Sequence, residues 1–222
     1  MSAATLPAWL NWAQRLQAIA QNGITFAKDP YDLERYQAIR EVAAEILAAG
    51  STVRLDVIRG LLENETGYAT PKVDVRGAVF SGNQLLLVRE KSDGKWTLPG
   101  GWADVCASAA ENVEREIFEE AGLQTRAQRI LAIYDRSLHP HEPIFAFHIY
   151  KIFLECSVLG GQEKPGSETD AVSYFDEEHL PELSITRITA GQIRRMFELH
   201  RHPEWPADFD LSASPHPGSK VL

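Results

Sequence analysis

Only two cysteines, Cys106 and Cys156, occur in the 222 residues. That is too few for a disulfide scaffold and too few for a zinc site of the Cys type. Both are therefore read as free thiols, with Cys106 packed. Positive charge is also scarce: 22 Lys and Arg stand against 31 Asp and Glu, a formal net charge of −9. Such a balance argues against broad electrostatic binding of nucleic acid or anionic membrane. It leaves phosphate substrates open, because a bound cation inverts the local field. No run of about eighteen apolar residues occurs, and a basic start followed by an apolar stretch of the signal-peptide kind is missing. The expectation is a cytoplasmic protein with no membrane and no nucleic-acid partner. Repeats and low-complexity tracts are absent too. What is present is 44% hydrophobic content, enough for one full domain and a small addition.

Hydrophobic period divides the chain. Residues 5–21 recur at helical spacing through Leu6, Trp9, Leu10, Ala13, Leu16, Ile19 and Ala20, with a break expected at Gly23. A second helix is predicted from Tyr31 to Ala49, with Leu33, Tyr36, Ile39, Val42, Ala43 and Ile46 on its apolar face, and a third over Leu55 to Glu63. From Lys72 the period changes to two. A hairpin is predicted from Val73–Phe80 and Gln84–Arg89 around Ser81-Gly82-Asn83, followed by strands over 127–134, 144–154 and 171–175 and a helix over 189–200. The domains read as a helical unit over 1–67, a catalytic domain over 68–202 and a loose proline-rich tail over 203–222. The apolar side chains around Trp9 and Trp12 exceed what a three-helix unit can bury alone, which points to a homodimer.

One segment carries the chemistry. Glu116, Glu119 and Glu120 lie at i, i+3 and i+4 of a predicted helix, where like charges repel by a few tenths of a kcal/mol per pair. A cation relieves that repulsion. Hard ions such as Mg²⁺ choose oxygen ligands and are shared between a few carboxylates and substrate phosphates. Ser108 and Glu111 form a capping-box pattern at the helix start, and Gly122 fits the left-handed position at its end. Arg115 is four residues from both Glu111 and Glu119 and can orient a carboxylate.

Gly101, Arg115, Glu116, Ile117, Glu119, Glu120, Gly122 and Leu123 stand in the register of the Nudix box, so the segment resembles that family's motif. One position departs: the first box Glu falls on Ala107, where the family's residue supports the loop and its charge network. A wider resemblance covers Ile24 to Tyr31, Glu34 to Tyr36, Thr70 to Gly77 and the loop Asp135 to His141. These look like the subgroup with an N-terminal helical extension that includes ADP-ribose and CDP-choline pyrophosphatases. The resemblance implies an α/β fold, the Nudix α/β/α sandwich with a mixed sheet, preceded by the helical unit. It implies a Mg²⁺-dependent pyrophosphohydrolase (Mn²⁺ as substitute) that cleaves a small-molecule nucleotide, a nucleoside diphosphate linked to X, into NMP and X-phosphate. The alternatives are a nucleoside triphosphate pyrophosphohydrolase and a non-catalytic nucleotide-sensing regulator on the same scaffold.

Residue by residue, the resemblance places Glu116, Glu119, Glu120 and the Gly100 carbonyl at the metal. Glu116, Glu168 and Arg115 are the catalytic candidates, Glu168 because it lies on a loop late in the domain where some family members carry the base. From residue type and position, Arg76 and Arg89 on predicted strands can clamp phosphates or form salt bridges. Asp135 and Arg136 sit at a strand end, where binding residues often lie. His139 and His141 crowd one polar loop and read as substrate contacts, since no third zinc ligand is evident.

Overall fold

A computed structural model describes residues 7–143 and 145–211. Two compact units emerge, one of Met1–Val73, Arg136–Tyr150 and Ile185–Thr189, the other of Asp74–Asp135, Lys151–Ser184 and Ala190–Leu222.

The first unit is built on α1 (Ala8–Phe26), α2 (Pro30–Gly50) and α3 (Leu55–Glu63). Leu10 and Ala13 of α1 meet Ala44 and Leu47 of α2 and Ile58 and Leu62 of α3, with Ala146 and Phe147 packed alongside. Leu6, at the edge of the expected apolar stripe, lies outside the described residues. The expected break at Gly23 does not occur. Helix α1 continues to Phe26, and the Tyr36 ring covers position 23 so closely that a Cβ there would fall 2.2 Å from it. A residue without a side chain is needed at that approach. The chain turns at Ala27–Asp29, where a turn at Lys28-Asp29-Pro30 is expected from the sequence. Asp29 then caps α2, accepting from the amides of Tyr31 (2.9 Å) and Asp32 (3.2 Å), with Pro30 in the first turn, an arrangement that suits proline's missing N–H. The buried stripe of α2 is Ala43, Ala44 and Leu47, while Val42 of the expected face is exposed. Small alanines let two helices approach closely, so packing selects their side over the bulkier one.

The second unit carries a seven-stranded sheet of β1 (Lys72–Ser81), β2 (Gln84–Glu90), β3 (Trp96–Thr97), β4 (Leu123–Asp135), β5 (Ile149–Gly161), β6 (Thr169–Asp176) and β7 (Asp208–Phe209). The order is β3-β2-β1-β5-β4-β7, with β6 paired to β2, and antiparallel pairs such as β1–β2 beside the parallel β4–β7 pair make the sheet mixed. β1 and β2 join at Ser81↔Gln84, as the Gly82-Asn83 turn predicts. Helix α4 (Ala109–Ala121) lays Val113, Ile117 and Ala121 on Val75, Val79, Leu86 and Val88. Helix α5 (Ala190–Arg201) buries Ile193, Met196 and Phe197.

Two strand expectations shift. The strand expected from Ile144 starts at Ile149, and Ile144 itself lies outside the described residues. Within the expected loose tail, β7 pairs in parallel with β4 at Ala132↔Asp208. Asp208 also accepts from Tyr134 Oη (2.8 Å) and Arg195 Nε (2.6 Å). Those bonds hold a segment that its prolines alone mark as irregular. Residues 212–222 of that tail lie outside the described residues.

Candidate active site

Helix α4 begins in a complete capping box: Ser108 Oγ accepts from the Glu111 amide (3.2 Å), and Glu111 Oε2 accepts from the Ser108 amide (2.7 Å). Gly122 ends it in the left-handed conformation, φ 73°. With both ends set, the faces of α4 are set. One packs on the sheet, and its border turns Glu116 and Glu120 toward the turn Pro99-Gly100-Gly101.

That turn is stitched to β1 by hydrogen bonds from the Gly77 amide to Pro99 O and from the Val75 amide to Gly101 O, both 2.8 Å. Gly100 between them has φ 138°, and a Cβ there would stand 2.1 Å from Val75 O, so only glycine fits. Its amide donates to Glu120 Oε2 at 2.9 Å. Its carbonyl accepts no hydrogen bond among the described residues. Glu116 Oε2 lies over the next residue, 3.2 Å from where a Gly101 Cβ would be. Two carboxylates therefore meet at this turn. Glu119 is exposed, with Arg115 Nε 3.9 Å from its Oε1.

Burial raises the Glu120 pKa to about 8, with Glu90 and Glu116 adding to the rise and Arg76 and the Gly100 amide opposing it. Burial and then Glu119 also raise that of Glu116. At neutral pH Glu120 thus holds a proton unless a cation replaces it. The donors suit a hard divalent ion: all are oxygens, and the carboxylates repel one another. Among the described residues no three Asp, Glu, His or Cys side chains converge on one point. Mg²⁺ fits such a site, because it takes one or two carboxylates and completes its shell with water and phosphate.

Beneath the turn runs a buried row of charge. Asp74 pairs with Arg76 (2.8 Å) and Lys151 (2.6 Å), and all three are under 10% exposed. Burial alone would raise the Asp74 pKa, but the two cations outweigh it and bring it to about 2. Arg76 donates in addition to Leu98 O at 3.1 Å. Of the two expectations for Arg76, the ion pair is the one seen in this structure: on a strand, residues two apart share a face, and Asp74 meets the guanidinium inside the core, not at the surface.

Glu168 lies in the segment 166–170, at the entry to β6, and that segment is tied down from two sides. The Gly166 amide donates to Thr169 Oγ1 (2.8 Å), and that hydroxyl donates to Glu120 O (2.7 Å). Lys91 Nζ donates to Gly166 O (3.2 Å) and Ser167 O (2.7 Å). The exposed Glu168 side chain comes near enough to Glu116 to contribute to its raised pKa. Next to it, Asp170 accepts from Arg89 Nε (2.6 Å), whose guanidinium lies 5.9 Å from the Trp96 ring centre.

Comparison with known proteins agrees with this geometry. Residues 70–196 match the NUDIX domain, and residues 7–62 match the UDP-X-like N-terminal oligomerisation domain of Nudix proteins. The chain belongs to the Nudix hydrolases. It is 48% identical to the Bacillus subtilis protein YjhB, provisionally assigned as an ADP-ribose pyrophosphatase, across 91% of this chain and 97% of that one. A solved ADP-ribose pyrophosphatase from Streptococcus suis is 43% identical over 64% of this chain and all of its own, with TM-score 0.57. A solved UDP-X diphosphatase is 32% identical over 91% of this chain and 98% of its own, with TM-score 0.59.

Of the remaining expected contacts of this Nudix hydrolase, Asp135 ends β4, and its amide donates to Asp210 Oδ2 at 2.7 Å. Arg136, His139 and His141 belong to the helical unit. Arg136 is 8% exposed and donates to Pro143 O and Thr186 O; His141 is 5% exposed, with Nδ1 2.8 Å from Ile185 O. Buried donors need internal partners, and the carbonyls of Pro143, Thr186 and Ile185 are among those these two side chains meet. His139 is half-buried, and its amide donates to Arg136 O. Cys106 is exposed rather than packed.

Sequence reasoning also overlooked several residues around the site. Glu90 shares a strand face with the buried Leu86 and Val88, a period-two signal that was available. Lys151 shares one with Phe153 in the same way. Asn112 is fully buried, and nothing in a helical pattern marks a buried Asn from an exposed one.

Proposed function

We propose that this Nudix hydrolase cleaves the pyrophosphate link of a nucleoside diphosphate joined to a second moiety X, of the ADP-ribose or CDP-choline type, giving NMP and X-phosphate. The observation that carries the reading is that Glu116 and Glu120 both reach the Gly100-Gly101 turn, supported by relatives named for ADP-ribose and UDP-X. The residues that would hold the cation are Glu116, Glu119, Glu120 and Gly100 O, with Mg²⁺ the physiological ion and Mn²⁺ its substitute. When bound, such an ion neutralises phosphate charge and lowers the pKa of water.

The chain supplies the rest. Glu168, on its pinned loop, takes the proton of the attacking water as the water oxygen bonds to one phosphorus and the bridging P–O bond breaks. The leaving phosphate keeps that bond's electron pair. Arg115 orients Glu116 and Glu119. Arg89 and Asp135 are the substrate-contact positions of the same unit. The protein works in the cytoplasm as a homodimer joined through the helical unit. No helix among the described residues is long and apolar enough to cross a membrane.

The test is a screen of ADP-ribose, CDP-choline, UDP-linked sugars, NADH and nucleoside triphosphates with Mg²⁺, products identified by chromatography. NMP with X-phosphate is the expected result. NMP with pyrophosphate, from triphosphates only, replaces this reading with the triphosphate one.

A further inference from the structure

Position 107, where the family pattern has a carboxylate, is Ala107 here, yet the loop before α4 is firmly held. Asn112 reaches back into it with every polar atom engaged. Its Oδ1 accepts from the Asp104 amide (2.9 Å) and Arg115 Nη2 (2.8 Å). Its Nδ2 donates to the carbonyls of Asp104 (3.3 Å), Ala107 (3.3 Å) and Ser108 (3.1 Å). Arg115 Nη2 closes the circuit on Asp104 Oδ2 at 2.8 Å and stands 3.8 Å from Glu116 Oε1. Inside the loop Cys106 holds φ 63°, a conformation unfavourable for a residue with a side chain and sustained only when its surroundings determine it.

We propose that the Asp104–Asn112–Arg115 circuit replaces the carboxylate missing at 107. Asn112 and Asp104 are positioning residues that hold the loop and Arg115, and through Arg115 they set Glu116 and Glu119 for a divalent cation. The inference rests on the Nudix reading of the α4 carboxylates. Asn112 carries more of the role than Asp104. The Asp104–Arg115 pair is 70% and 36% exposed, and such surface pairs are weak on their own. The amide is buried, so losing any of its bonds strands a polar group without water.

The experiment compares Asn112→Asp, which keeps the shape but removes the three donations, with Asp104→Asn and with Asp104→Asn combined with Ala107→Glu. Three quantities are read: Mn²⁺ affinity of the substrate-free protein by electron paramagnetic resonance, kcat and KM separately, and Tm. Expected for Asn112→Asp is a loss of about 10–100-fold in Mn²⁺ affinity and in kcat, the scale of a residue that orients metal ligands, with KM unchanged. Asp104→Asn loses less, and adding Ala107→Glu restores most of that loss by returning a carboxylate to Arg115. The proposal is overturned if Asn112→Asp lowers only Tm while Mn²⁺ affinity holds, or if Ala107→Glu restores nothing. The Mn²⁺ measurement needs no turnover. A wild-type protein that hydrolyses none of the screened nucleotides would defeat the hydrolase reading and leave this one to be decided by affinity.

Discussion

In the helical unit the pairs Arg35–Asp32, Arg54–Asp56 and Arg59–Glu41 lie at the surface, with side chains at least 39% exposed, and Lys72–Glu65 is half-buried. In the sheet unit Asp74, Arg76, Lys151, Glu90 and Glu120 are all buried below 10% exposure. Apolar groups show the reverse. The face of α1 with Trp12, Ile19 and Phe26, seven residues apart, is 52–64% exposed, while the β1 and β2 side chains around Val79 and Leu86 are fully covered. Buried charge is costly even when paired, and an exposed apolar face means a surface built to be covered. The first lies around the Glu120–Gly100 contact, and the second on the segment that matches the N-terminal oligomerisation domain.

The largest effect that would sharpen the contrast is expected at the carboxylates of the Gly100 turn. Glu120→Gln or Glu116→Gln should lower kcat by roughly 10²–10³-fold, the scale of losing charge stabilisation in a transition state, with little change in Tm. Mn²⁺ binding at pH 7 should release protons from the wild type, because a cation displaces the one on Glu120, and release fewer from Glu120→Gln. Unchanged rates in both variants would remove the metal assignment.

Next comes the buried row. Asp74→Asn removes the carboxylate that Arg76 and Lys151 share and should destabilise the fold by about 3–5 kcal/mol, measured by urea denaturation. The wild type has a matching acid signature. The Asp74 pKa is depressed on folding from 3.8 to about 2, so its contribution is complete above about pH 4 and lost as pH falls through 2. That loss amounts to about 2 kcal/mol. A flat stability profile across that window would show that the pair does not behave as buried.

At the pinned loop, Glu168→Gln should cut kcat by about 10²-fold or more, as loss of a general base does, and leave KM alone. If the rate survives and Glu116→Gln abolishes it, the base lies on α4. The smallest effects belong to the helical unit. Trp12→Asp should shift the protein from dimer to monomer in light scattering without altering the fold, and Glu41→Gln should change neither Tm nor rate. A large effect of Glu41→Gln would erase the contrast between the units.

Much of this was legible in one dimension. Helix α4, its capping box and its Gly122 stop depend on residues three to thirteen apart, and local spacing expresses such relations directly. The carboxylates at 116, 119 and 120 share a helix face for the same reason. The two-residue turn at Gly82-Asn83 and the change of period at Lys72 are equally local. Tertiary structure alone decided the rest. Arg76 pairs with Asp74 inside the protein because the core closes over β1. Gly23 does not break α1 because Tyr36, thirteen residues away, packs over it. Residues 208–209 became a strand because β4 offered an edge and Asp208 found Tyr134 and Arg195. Asn112 stands in for a missing carboxylate because the loop of residues 102–108 folds back onto the helix. Sequence spacing encodes what neighbours along the chain can do, whereas burial and pairing depend on which distant residues arrive at the same place.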